Sequence, residues 1–278
     1  MDKKYGILTK AEYQEPRCVL CAKPDMEGKE PIPQDRILKK LDEYLDKNDL
    51  EGAERHLLYW LTEAQTVHDK RGQLMLHNEL MGNYRKQNKE EYALENAQKA
   101  LSLIEELEMS DTISAGTTYV NAATVFEHFG QISRSLDLFE KAKPLYQRNL
   151  SEGDFRLGSF FNNMGMTLAS AERYGESYEM FQKALACMQK NSNGQLEEAM
   201  TYLNMANAVE KEHGIEKAEK KICQYLDCAQ EKLDDPTVIR NGYYAFVCDK
   251  CQTVFDYYGY FLFAQELRKR VKEIYERN

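Results

Sequence analysis

Residues 202–209 read YLNMANAV, an uncharged run with two asparagines inside it. Two relatives lie upstream, YVNAATVF at 119–126 and FNNMGMTL at 161–168. Their first residues, Tyr119, Phe161 and Tyr202, are 42 and 41 positions apart. Within the last copy, Tyr202, Met205, Ala206 and Val209 stand at i, i+3, i+4 and i+7, the apolar stripe of an amphipathic helix. A second pattern follows each copy: Ser135/Phe139/Ala142, Ser177/Phe181/Ala184 and Ala218/Ile222/Tyr225. Its i, i+4, i+7 spacing belongs to a second helix. Gly214, in the intervening KEHGIEK, is a plausible stop for the first.

Each unit therefore reads as two antiparallel helices joined by a short turn. Fainter copies extend the pattern: Ala93/Ala97/Ala100 after Tyr84, Ala53/Leu57/Trp60 after Tyr44, and Phe255/Gly259/Ala264 near the end. Origins near residues 34, 74, 116, 158, 199 and 245 give about six units. Small residues at the stripes (Ala142, Gly165, Ala184, Ala206, Ala218) allow close helix approach. One hairpin cannot bury both of its faces, whereas stacked hairpins can. The expectation is an all-α solenoid over residues 33–278, preceded by an extension over 1–32; four of the six prolines fall before residue 34. Pro144 falls inside a second helix and should kink or split it. The nine aromatics of residues 243–263 read as packing of a terminal unit, with a stacking platform for a ligand as the alternative.

These residues resemble the tetratricopeptide repeat (TPR) family. Its first-helix pattern, roughly aromatic-x-Asn-Leu-Gly-Asn-Ala-Tyr, is similar to the run from Tyr202 to Val209. Its small–aromatic–small second helix is similar to Ser135/Phe139/Ala142 and Ser177/Phe181/Ala184. The likeness is clear in the third to fifth units and weak in the first and last. The family's usual period is about 34 residues; the longer period here is similar to kinesin light chains and to some bacterial regulatory arrays. The resemblance implies a right-handed superhelical solenoid of helix hairpins with a concave groove lined by first helices.

Composition narrows the function. Net charge is −9 and the pI is about 5.3, so a nucleic-acid partner is not expected. The only dense basic cluster, RKR at 268–270, has acidic neighbours and reads as a solvated helix face. No apolar run is long enough to span a membrane, and the first residues carry no apolar signal segment. Seven cysteines read as free thiols, pointing to a reducing cytoplasm. No phosphate-binding glycine loop, HExxH or G-x-S-x-G is present, and the five histidines are scattered. No catalytic residue, cofactor or metal is expected. Cys248 and Cys251 read as core thiols. Cys18 and Cys21 lack the second pair that a tetrahedral zinc site needs.

The asparagines remain. At about 100° per residue, Asn204 and Asn207 point roughly 140–200° away from Tyr202, opposite the core within the hairpin. Asn121, Asn163 and Asn204 recur in register, with Asn162 and Asn207 beside them. An amide offers donors and an acceptor, which suits the backbone of an extended peptide. In the family resembled, asparagines at these positions do that work. The alternative is that they bond to neighbouring helices and hold the array together. The expected function is a cytoplasmic adaptor binding a peptide or protein segment. A self-assembling structural subunit and a peptide-pheromone-type sensor are the competing readings.

Overall fold

The computed structural model describes residues 30–191 and 193–276, so Cys18 and Cys21 lie outside the described residues. Every regular element among the described residues is a helix. In chain order these are α1 (Gln34–Leu45), α2 (Leu50–Thr66), α3 (Lys70–Lys86), α4 (Glu90–Glu106), α5 (Ile113–His128), α6 (Ile132–Asn149), α7 (Phe155–Ser170), α8 (Tyr174–Met188), α9 (Gln195–His213), α10 (Ile215–Asp234), α11 (Gly242–Tyr257) and α12 (Phe261–Glu276). They pair into hairpins at the expected origins. The chain divides into two compact units: one holds α1 to α6 as far as Arg148, the other α7 to α12 together with residues 46–48. No described helix is long and apolar enough to cross a membrane.

Turn chemistry explains the regularity. Asn48, His68, Asn88, Glu108, Gly130, Glu172 and Gly259 all have positive φ, between 54° and 85°. The amide after each of them bonds back five residues, as Asp49 N to Tyr44 O at 2.9 Å and Gln131 N to Phe126 O at 2.7 Å. This left-handed cap with its back-bond closes a helix and satisfies a carbonyl that would otherwise be orphaned. Asp49 and Asp69 then cap the helices that follow, accepting from Gly52 N and Gly72 N at 2.8 Å. Gly214 is the stop the sequence indicated: the reversal takes that one residue, φ 78°. Pro144 does not split its helix: α6 runs unbroken over Ile132–Asn149.

The small residues sit where hairpins close. Ala142, Ala184 and Ala206 are fully buried and Ala218 nearly so. At Gly165 the Ser177 hydroxyl donates to the glycine carbonyl at 2.7 Å. A Cβ there would lie 2.7 Å from the buried Phe181 ring. In the second unit, α9 is buried on two sides. Leu196, Ala199, Leu203, Ala206 and Val209 pack with α10 to α12. Met205 and Ala208 pack with Phe181 and Leu185 of α8. A helix in the middle of a stack has neighbours on both flanks, so its apolar surface is broader than a single stripe. Tyr202, at the seam, is only half-buried. Cys248 and Cys251 belong to the same core as Tyr244 and Phe255. Burial pushes the Cys248 thiol up to about 12.

Candidate functional site

The first helices of successive hairpins lie side by side within each unit: α3 beside α5, α7 beside α9, α9 beside α11. All the asparagines singled out from the sequence fall on them, and all are half-buried. Asn121 is on α5, Asn162 and Asn163 on α7, Asn204 and Asn207 on α9.

Two of these helix pairs are joined by the same clasp. In the first unit, Asn121 Nδ2 donates to Asn78 Oδ1 of α3 at 3.0 Å. In the second, Asn204 Nδ2 donates to Asn162 Oδ1 at 3.1 Å. Asn78 and Asn162 occupy one register position, and Asn121 and Asn204 the next. Asn78 is fully engaged, because its Nδ2 also donates to Leu74 O at 3.0 Å and to Thr118 Oγ1 at 3.1 Å. Asn207 Oδ1 accepts from the hydroxyl of Tyr258, the residue after α11, at 3.0 Å. Asn163 stands apart. Its carbonyl accepts from Thr167 Oγ1 at 3.1 Å, and its side chain makes no hydrogen bond with a described residue. The amides thus bond to neighbouring helices, yet several keep capacity free. Asn121 and Asn204 each spend one donor, which leaves an acceptor oxygen and a second N–H.

Sequence reasoning did not single out Asn78, which is offset by one position from Asn121. The signal is present as the recurrence 78/121 and 162/204, spaced 43 and 42 residues. Tyrosine–carboxylate bonds were equally invisible. On the α9–α11 face Tyr258 donates to Glu210 at 2.6 Å and Tyr257 to the same carboxylate at 2.5 Å. Tyr243 donates to the buried Glu197. Beside it, Lys232 meets Glu198 at 3.0 Å.

The first unit holds a recess of about 80 Å³ between α1, α3 and α5, lined by Leu41, Glu79, Gly82, Asn83 and Asn121 among others. Asn83 Nδ2 donates to Leu50 O at 3.0 Å, which turns its Oδ1 inward, where it is buried without a partner. Glu79 is only 8% exposed and makes no hydrogen bond with a described residue. A wider cavity of about 440 Å³ on the first hairpin is lined by Arg36, Lys39, Lys40, Tyr59 and Trp60 with others. Among the described residues, no cluster of three or more His, Cys, Asp or Glu could hold a metal ion.

No family model matches the chain, and no curated protein matches it. Solved structures do. BtubC (BKLC) from P. vanneervenii is similar over 70% of this chain and 79% of its own, with 21% identity and a TM-score of 0.58. A Podosopora anserina protein described as a kinesin light chain with nearly identical TPR-like repeats is similar over 72% of this chain and 96% of its own, at 14% identity and a TM-score of 0.56. A variant of that protein is similar over 71% of this chain and 94% of its own, at 14% identity and a TM-score of 0.57. The chain has the fold of TPR-like helical-repeat proteins.

Proposed function

We propose that the chain is a cytoplasmic adaptor that binds an extended peptide segment along its first helices and performs no catalysis of its own. One observation carries the reading: the amides on that face are held in place by a clasp to the next helix, yet they keep free hydrogen-bonding groups. A preorganised row of such groups matches the donors and acceptors of an extended backbone at little ordering cost. The same clasp serves the strut role, so one side chain does both jobs. Repeat proteins present such surfaces because each hairpin contributes one helix to a shared face.

Asn163 gives the cleanest test, because its side chain makes no hydrogen bond with a described residue. With a binder selected from a library of linear peptides, Asn163→Ala should weaken affinity by roughly 1 kcal/mol while leaving the melting temperature unchanged. Asn204→Ala should lower both, since it removes a strut and a contact together. Unchanged affinity in both variants, with stability reduced only for Asn204→Ala, would leave the amides as struts alone and refute the reading.

A further inference from the structure

The recess in the first unit is lined by acceptors that its own residues do not satisfy, one of them fully buried. Glu79 faces it from α3 with a carboxylate that no described residue hydrogen-bonds. One turn on, Asn83 lines the same recess and has a buried Oδ1 without a partner. From α5, Asn121 keeps its Oδ1 free after donating to Asn78. A buried acceptor without a donor is costly to keep. With Glu79 ionised, three acceptors on the lining of one recess describe the complement of a group with several N–H donors.

Surrounding charges do not already fill that role. Lys86 and Asp42 act on Glu79 only through their fields, in opposite directions. Arg85 lines the recess with its Nε unpartnered, and Glu127 is the charge acting on it. Burial pushes the Glu79 carboxyl up to about 8, so the empty recess holds a proton there at neutral pH. An incoming cation replaces that proton.

Gly82 forms part of the wall. A Cβ added there meets nothing within 4 Å, so the absent side chain is space that the recess uses. A glycine inside a helix is less favourable than an alanine. A recess of about 80 Å³ suits an ammonium head and its adjoining methylene, and it is tight for a planar guanidinium.

We propose that this recess receives the primary ammonium of a partner's lysine side chain, bound by the Glu79 carboxylate with Asn83 Oδ1 and Asn121 Oδ1 completing its three hydrogen bonds. The net charge of −9 favours the approach of such a cationic segment. The inference rests on the reading of the first helices as a peptide-binding face, and it names the side chain that face selects.

The test uses the full chain and two matched peptides, both acetylated at the N-terminus and amidated at the C-terminus. One carries a single lysine among alanines and serines; the other carries Nε-acetyl-lysine at that position. Binding is followed by chemical-shift titration at millimolar peptide. The lysine peptide should bind about tenfold more tightly, with shifts centred on α3 and α5. Glu79→Gln should erase the preference. Gly82→Met, which fills the recess from an open position, should do the same in a protein that still melts cooperatively. Equal binding of both peptides, unaffected by Glu79→Gln, overturns the ammonium site and leaves the groove reading standing. Lysine-dependent shifts confined to α7 to α12 also overturn it. Absence of binding by either peptide counts against both readings.

Discussion

An asparagine amide carries two donor hydrogens and two acceptor lone pairs, and the array exploits that surplus. Asn121 and Asn204 each spend one N–H on the neighbouring helix. Carboxylates on the same helices have less favourable terms. Glu197 is buried, with one oxygen accepting from Tyr243 and the other, Oε2, unpartnered. Burial pushes its carboxyl up to about 7, opposed by the Tyr243 bond. A folded-state value above the ordinary 4.5 means that the native protein holds this proton more tightly than the unfolded chain does. The stabilisation is complete below about pH 4.5 and is lost as pH rises through about 7. Glu197→Gln keeps the hydrogen bond and cannot ionise. Its melting temperature should match the parent's near pH 5 and exceed it at pH 8. An equal difference at both pH values would show that Glu197 is not the titrating group.

At the scale of the element, glycines separate packing from openness. Gly165 of α7 meets the Phe181 ring, which is fully buried and has nowhere to move. Gly165→Ala should therefore overpack the α7–α8 seam and destabilise by roughly 1–3 kcal/mol, against a gain in helix propensity of about 1 kcal/mol. Gly82 of α3 is the converse. With open space around its Cβ position, Gly82→Ala should stabilise by up to about 1 kcal/mol. Denaturant midpoints at constant slope measure both. A midpoint raised by Gly165→Ala would refute the packing account of that glycine, and one lowered by Gly82→Ala the open-space account of the other. The helix ends follow a similar logic. Glu108 and Glu172 adopt the left-handed conformation without being glycine, and the back-bond they allow offsets the steric cost.

At the scale of the whole molecule, most packing is between helices close in sequence. Within each unit, hairpins pack on their sequence neighbours, and apart from residues 46–48, which group with the second unit, the chain divides between Arg148 and Asn149. In such an array stability is close to a sum of repeat and nearest-neighbour terms. A fragment starting at Asn149 should therefore fold alone, with a helical far-ultraviolet spectrum and a cooperative melt at a lower temperature than the full chain. A coil-like spectrum from that fragment would mean that the first unit is required for the second to form.

The sequence by itself determined the helices, their pairing and their period. The 3.6-residue stripe and the small residues at hairpin seams depend only on local geometry and burial, so the spacing alone assigns Ala142, Ala184, Ala206 and Ala218 to those seams. It also placed the asparagines on the first helices. It could not decide what they touch, because a hydrogen bond between α3 and α5 joins residues 43 positions apart and depends on helix rotation by fractions of a turn. The one-residue offset between Asn78 and Asn121 lies inside that tolerance. The left-handed caps at His68, Glu108 and Glu172 were hidden for a related reason: the residues are not glycine, and the back-bond that compensates them exists only in the folded turn. Glu79 reads as one more surface carboxylate in an acidic chain. Only the packing of α1, α3 and α5 around it takes it out of water and leaves it without a partner.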